Sequence, residues 1–129
     1  MTIRKAIIPP GQEGTYEQFH FAPAFRVGDT VYVSGVIGHG EDGRVPSEAA
    51  DEFRAAFEQL ASTLEEAGAT LSDIVELTTF HVGMAEIGDF IAAKDAVISE
   101  PYPAWTAIGC ASLVVPRARV EIKATAVIA

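Results

Sequence analysis

The clearest candidate for acid or base chemistry is a glutamate near the end of the sequence. In the segment RVEIKATAVI, Glu121 stands at alternate positions with Arg119 and Lys123. A strand carboxylate is most simply solvated or ion-paired, since charged side chains are mostly exposed. If a second subunit covers that face, the same carboxylate lies in a cleft and can hold or deprotonate a water molecule. The residues themselves leave both interpretations open.

Two further side chains are candidates for binding a ligand. Lys94 falls on the apolar side of a predicted helix, where it either extends past the core to solvent or points at an anionic ligand. Trp105 is the single tryptophan and follows Pro103 and Ala104, where a loop becomes a strand. Such a residue is either a packing anchor or a wall on which a flat ligand stacks.

The histidines and the cysteine show no metal or nucleophile pattern. Cys110 is the one cysteine, cannot form an internal disulfide, and is expected to be a small buried residue of an apolar strand. The three histidines lack the pair spacing of a zinc site, and no dinucleotide or phosphate-binding motif is present. His81 ends a predicted strand and is expected to be a hydrogen-bonded edge residue. We therefore expect neither a metal nor a cofactor.

Length and composition narrow the class of protein. The chain has 129 residues, 49% hydrophobic and 21% charged, which is enough for a single domain over residues 1–129 without disulfides. A formal charge of −9 repels nucleic acid and anionic membranes. Neither a signal-peptide segment nor a membrane-spanning run is apparent, so a cytoplasmic protein is expected.

Strands that could carry these residues follow from the β-branched and aromatic runs. They are predicted over 2–8, 24–27, 30–34, 73–82, 105–111 and 119–127, with a loop from Pro9 to about Phe19. Gly28 and Asp29 predict a tight hairpin between the second and third strands. In the last strand, alternation places Arg119, Glu121 and Lys123 on the face away from the helices.

Two helices complete the predicted order, β-β-β-α-β-α-β-β. The first follows Ser47 as its N-cap and ends at Gly68, and the second runs over 85–98. Two helices cover one face of a mixed α+β sheet and leave the other face without a partner. The strand TVYVSGVI has little polar alternation, which indicates burial on both faces. A closed ring of identical subunits is the ordinary way to bury such a face.

Taken together, these segments resemble the RidA/YjgF family over almost the whole length. The matching stretches are VGDTVYVSGVIG, LEEAGATLSDIVELTTFHV, DFIAAKDAV, PAWTAIG and VEIKATAVI. The resemblance implies a chorismate-mutase-like fold and a homotrimer with a small-molecule cleft between neighbouring subunits. It also implies hydrolysis, without metal or cofactor, of the enamines and imines that pyridoxal-phosphate enzymes produce, with release of ammonia and a 2-keto acid.

Several site residues are implied by the same resemblance. Glu121 is expected to position the attacking water, and Ser34 and Gly35 are expected to line the cleft. Main-chain N–H groups at Ala107 are expected to meet the ligand carboxylate, and Phe21 aligns near the family's cleft tyrosine.

The main departure from the family pattern is at position 105. Family members have an arginine directly after the Pro-Ala pair, and it grips the substrate carboxylate as a bidentate fork. Trp105 has one N–H donor and no charge, so it cannot replace a guanidinium. Lys94, where typical members have asparagine, or Arg119, if it bends into the cleft, is expected to take over the anion.

Two functions follow from this departure. The first is a deaminase of altered substrate class, and the second is a trimer that binds a flat small molecule against Trp105 without turnover. The combination of a histidine after Phe80, a lysine at position 94 and the segment PYPAWTAIG resembles the YjgH-like branch of the family. The endoribonuclease activity attached to some members is a third possibility, which the charge of −9 disfavours.

Overall fold

Residues 2–129, the part of the chain that the computed structural model describes, form six strands and three α-helices. In chain order these are β1 (Arg4–Ile7), α1 (Glu13–Phe19), β2 (Ala24–Val27), β3 (Thr30–Ile37), α2 (Ala49–Glu66), β4 (Ile74–Val82), α3 (Ile87–Asp95), β5 (Ala104–Cys110) and β6 (Val120–Val127). A short 3-10 turn, Leu71–Asp73, precedes β4.

The six strands form one mixed sheet in the order β1-β2-β3-β6-β4-β5. Only β4 and β5 run parallel, and every other neighbouring pair is antiparallel. The predicted hairpin joins β2 to β3, with Gly28 at a φ of 55°, in the left-handed region that glycine adopts at little cost. β5 ends the sheet, so one of its edges faces no other strand among residues 2–129.

The core lies between one face of the sheet and the helices α2 and α3. The apolar repeat predicted for α2 is buried, and so are the alternate residues of the strands beneath it: Val31, Val33, Phe53, Phe57, Leu60, Leu64, Leu77, Phe90, Ile122 and Ala124. Pairing and burial place Tyr32, Phe80, Ile108, Glu121 and Lys123 on the opposite side, which we call the open face.

The open face is partly apolar and uncovered in a single chain. Tyr32 is 52% exposed and Ile108 is 39% exposed. Burial of β3 on both faces is therefore not achieved within one chain, and its cover by further copies stays a prediction.

Three element predictions were wrong in detail. The segment 9–19 contains α1, a helix with no buried residue, where a loop was expected. The N-cap of α2 is Glu48, not Ser47, and its side chain makes no capping hydrogen bond. α3 is shorter than predicted, and Ile91 and Val97 are exposed although the apolar pattern assigned them to the buried side. None of the helices formed by residues 2–129 has the length and apolar character needed to cross a bilayer.

Candidate functional site

The carboxylate of Glu121 lies against the main chain of Gly35. β3 and β6 are paired with a shift between Val33 and Val36, which places Ser34 and Gly35 in an irregular segment of β3. A Cβ built on Gly35 would lie 2.6 Å from Cδ of Glu121 and 2.7 Å from its Oε1. No real Cβ approaches other atoms so closely, so glycine here makes the room that the carboxylate occupies.

The Glu121 carboxylate is free to interact with a ligand or water. Among residues 2–129, neither Arg119 nor Lys123 forms an ion pair with it. No fully buried side-chain oxygen in this part of the chain lacks a hydrogen-bond partner, so the oxygens of Glu121 reach solvent. Its lone pairs can therefore accept a proton from a bound water.

An open cleft of about 500 Å³, which we call the Gly35 cleft, is lined by Gly35 but not by Glu121. It contains Phe21, Ser34 and Gly35, three of the residues that the family resemblance assigned. The Ser34 hydroxyl donates a hydrogen bond of 2.7 Å to the carbonyl of Ala22, which fixes the neighbouring Phe21 segment. Polar residues that the sequence did not indicate complete the wall: Gln12, Thr15, His39, Gln59 and Thr63.

Lys94 and Trp105 form a second group, on the helix side of the sheet. Trp105 pairs in register with the buried Leu77, which directs the indole towards α3. The Nζ atom of Lys94 lies 5.1 Å from the centroid of the indole ring, within range of a cation–π contact. Nζ also lies 2.8 Å from Oδ1 of Asp95, and the lysine side chain is only 14% exposed. The helix therefore holds one positive charge directly over the indole ring of Trp105.

The single donor of Trp105 is used inside the chain. Its Nε1–H donates to Oγ1 of Thr79 over 2.9 Å, and Nε2 of His81 lies 2.8 Å from the same oxygen. Since the indole can only donate, the Thr79 hydroxyl accepts from Trp105 and donates to His81, whose ring proton is then on Nδ1. Burial lowers the pKa of His81, which favours this neutral form.

His81 is hydrogen-bonded, but its strand is not at the edge of the sheet. β4 lies between β6 and β5, and His81 is 3% exposed beside the ring of Phe90.

Two residues of β5 complete the comparison with the sequence predictions. Cys110, expected to be a small buried residue, is half-buried at the end of β5. Ala107 is exposed on β5, paired in register with Thr79 and two residues after Trp105.

Arg119 does not lie on the open face as its alternation with Glu121 predicted. Its guanidinium donates to Oε1 of Glu52 over 2.7 Å and to the carbonyl of Ser47 over 2.7 Å, and its Nε lies 3.2 Å from Glu86. Glu52 is fully buried and also accepts the main-chain N–H of Arg119. Arg119 is therefore bound to α2, and Glu52, whose burial the sequence did not reveal, organises the start of β6.

Within one chain, the two candidate groups lie on opposite sides of the sheet. The Glu121 carboxylate belongs to the open face, whereas Lys94 and Trp105 pack on the helix side of the edge strand β5. A site that uses both the Glu121 carboxylate and the pair Lys94 and Trp105 therefore needs a second copy of the chain.

Among residues 2–129, no cluster of three or more His, Cys, Asp or Glu side chains is arranged to hold a metal ion.

Comparison with known proteins decides the family. Residues 15–128 match the family model described as Endoribonuclease L-PSP, which spans nearly all of the chain. The chain belongs to the RidA/YjgF family. It is 37% identical over 111 residues to the RutC family protein YjgH of Escherichia coli (strain K12), covering 84% of this chain and 85% of that protein.

One further relative and a solved structure support the assignment to the RidA/YjgF family. A 2-iminobutanoate/2-iminopropanoate deaminase of Dermatophagoides farinae is 35% identical over 127 residues, covering 94% of this chain and 91% of that protein. A solved structure of protein YjgH has a TM-score of 0.85 at 35% identity and covers 97% of this chain and 96% of its own. The family, its YjgH-like character and the mixed-sheet fold predicted from the sequence are thereby confirmed.

Proposed function

We propose that this protein is a metal-free deaminase that hydrolyses enamines or imines of a small metabolite in a cleft shared by neighbouring subunits. The observation that carries the proposal is the contact between Glu121 and Gly35. It presents a carboxylate without an ion-pair partner against a glycine that also lines the open cleft of about 500 Å³. A relative that is 35% identical bears the name 2-iminobutanoate/2-iminopropanoate deaminase, which supports the same reaction class.

In the proposed reaction, Glu121 acts as a general base and then as a general acid. Its carboxylate takes a proton from water while the water oxygen forms a bond to the imine carbon. The protonated carboxyl then returns this proton to the nitrogen of the tetrahedral intermediate. The carboxylate then moves the hydroxyl proton of this intermediate to the nitrogen as the carbon–nitrogen bond breaks, which yields ammonia and a carbonyl compound and consumes one water for each imine.

Lys94 is the cation that we propose for the substrate's anionic group. Arg119, the other candidate, is held by Glu52, Glu86 and a main-chain carbonyl. Lys94 lies over Trp105, where the family has its arginine, and its partner Asp95 is 60% exposed, so that ion pair is weak. An ammonium is a point charge and not a planar fork, which is the physical reason to expect an altered substrate class.

The proposed assembly is a homotrimer, because the two groups lie on opposite sides of the sheet in one chain. A ring would bring β5 of one subunit to the Gly35 cleft of the next and would cover exposed apolar residues such as Tyr32. Light scattering is expected to give about 41 kDa, three times the 13.7 kDa of one chain. A mass of one chain would contradict the shared cleft.

The reaction can be tested with freshly generated 2-aminoacrylate, by following release of the keto acid. The wild-type protein is expected to accelerate release, and Glu121→Gln is expected to slow it at least about 100-fold. Glu66→Gln, an exposed carboxylate at the end of α2, is the matched control and should keep the wild-type rate. Full activity of Glu121→Gln would refute the role of the glutamate.

A second candidate function is ligand binding without turnover. The observation that favours it is the bond from Trp105 to Thr79, which uses the only indole donor, so that Trp105 can offer a ligand apolar contact but no hydrogen bond. Trp105 is the single tryptophan, so its fluorescence reports ligands in this region. Quenching by metabolites together with no acceleration of imine hydrolysis would support binding alone.

A further inference from the structure

A second cavity with basic walls adjoins the Gly35 cleft. It has a volume of about 360 Å³, and its polar side chains are those of His39, Arg44 and Arg117. We call it the arginine cavity. Ile37 and His39 line both spaces, so the arginine cavity continues the Gly35 cleft beyond the end of β3. A ligand in the cleft can therefore extend an arm towards the two arginines.

Neither arginine of this cavity is neutralised by a carboxylate. The ion pairs formed among residues 2–129 involve Arg26, Arg54, Lys94 and Arg119, but not Arg44 or Arg117. The Oδ1 atom of Asp42, an acid of the same loop, accepts the main-chain N–H of Arg44 over 2.9 Å and forms no ion pair with its guanidinium. In a chain of net charge −9, two exposed guanidinium groups without an ion-pair partner at one cavity favour the binding of an anion there.

The main chain holds Arg117 in a conformation that arginine does not favour. The N–H of Ala118 donates to the carbonyl of Val115 over 3.2 Å and closes a turn with Pro116 and Arg117 at its centre. Arg117 has a φ of 73°, the left-handed region usually taken by glycine at the third position of such a turn. Strained backbone of this kind persists only where the surrounding structure holds it in place, and it clusters at ligand-binding and other functional sites.

Arg44 is placed by a second closed loop. The N–H of Gly40 donates to the carbonyl of Arg44 over 2.9 Å, and Gly43, inside this loop, has a φ of 77°. The bond from Asp42 to the main chain of Arg44 closes the loop further. Two independent hydrogen-bonded turns thus bring the arginines to the same cavity from distant parts of the sequence.

We propose that the arginine cavity binds a second, distal anionic group of the substrate, a carboxylate or a phosphate. Arginine binds either group through paired N–H donors, and His39 can add a donor at the junction with the Gly35 cleft. The substrate class is then an imine or enamine acid with a charged arm, such as one derived from an amino dicarboxylate or a phosphorylated amino acid. This substrate assignment rests on the proposed deaminase function, whereas the anion site itself does not.

The site is tested by binding, without turnover, in isothermal titration calorimetry. The test ligands are 2-oxoglutarate against 2-oxobutanoate, and O-phosphoserine against serine, so that the two pairs separate a carboxylate arm from a phosphate arm. We expect at least one charged-arm ligand to have a dissociation constant about tenfold or more below that of its neutral counterpart. A change of this size corresponds to the net contribution of one charge-assisted hydrogen bond.

Two variants and a matched control locate the effect. Arg117→Gly suits the left-handed turn and Arg44→Ala removes the second guanidinium, and each is expected to weaken the charged-arm ligand about tenfold while sparing the neutral one. Arg54→Ala removes an equal charge from the exposed side of α2, where Arg54 pairs with Asp51. This control should leave the affinity for every test ligand unchanged.

The outcomes separate this proposal from the deaminase function. Equal affinity for both members of each pair, no binding of any ligand, or unchanged binding in Arg44→Ala and Arg117→Gly would overturn the anion site. A preference for a charged arm that both variants abolish would support it even if no imine is hydrolysed. Rapid hydrolysis of 2-aminoacrylate with no charged-arm preference would support the deaminase and refute the substrate class proposed here.

Discussion

The carboxyl carbon of Glu121 lies 2.6 Å from the point that the Cβ of an alanine at Gly35 would occupy. The two residues are far apart in sequence, and the antiparallel pairing of β3 with β6 brings them together. The carboxylate thus occupies space that is available because Gly35 has no side chain, and no ion pair holds it there. Its lone pairs stay available for water.

Gly35→Ala is expected to displace the Glu121 carboxylate and to slow imine hydrolysis about as much as Glu121→Gln does. Stability should change by less than about 2 kcal/mol, because Gly35 is exposed and the glutamate side chain can move outward. Steady-state rates and urea unfolding measure the two effects separately. Gly88→Ala, where nothing lies within 4 Å of the new Cβ, is the control and should keep full activity. Wild-type rates in Gly35→Ala would show that this contact does not position the base.

Glu52→Gln is expected to destabilise the fold by about 2 kcal/mol, because one buried carboxylate oxygen becomes an NH2 group that cannot accept a hydrogen bond from Arg119 or from the main chain. Glu52 is fully buried, contacts the Arg119 side chain at 2.7 Å and accepts two main-chain N–H groups at the start of β6. Chemical denaturation measures the loss. Glu66→Gln at the exposed end of the same helix should shift stability by less than about 0.5 kcal/mol. Similar stability of the two variants would refute a structural role for Glu52.

His81 is expected to make the fold sensitive to acid. Burial lowers its pKa below the ordinary value of 6.5, so the unfolded chain binds this proton at a higher pH than the folded chain does. The stabilising contribution is complete above pH 6.5 and is lost as the pH falls towards the folded pKa, by up to about 1.4 kcal/mol per pH unit. Unfolding free energies measured between about pH 5 and 7.5 report the slope. His81→Gln should flatten this slope, and a slope equal to that of the wild-type protein in His81→Gln would contradict the role of this histidine.

Much of the fold could be predicted because its main elements have strong local patterns. The apolar repeat of α2, the alternation in β6 and the glycine turn at Gly28 each appear in a short window of sequence. α1 was missed because it buries no residue and follows two prolines and a glycine, so no amphipathic period marks it.

The site was predictable only in part, since its contacts join distant segments. Resemblance to the family indicated Ser34, Gly35 and Glu121, and the structure brings Gly35 into contact with Glu121. Strand alternation placed Arg119 beside Glu121, but β6 begins at Val120, so the pattern does not hold one residue earlier. No local pattern shows that Glu52, in a helix 67 residues away, binds that arginine.

The central claim is that one subunit supplies Glu121 and its neighbour supplies Lys94 over Trp105. Mixing two inactive variants, Glu121→Gln and Lys94→Met, after joint unfolding and refolding tests it most directly. Random mixing places both intact groups at about one site in four of a ring, so keto-acid release should recover to about a quarter of the wild-type rate. Each variant refolded alone should stay inactive. A mixture no faster than the separate variants would contradict a site shared between subunits.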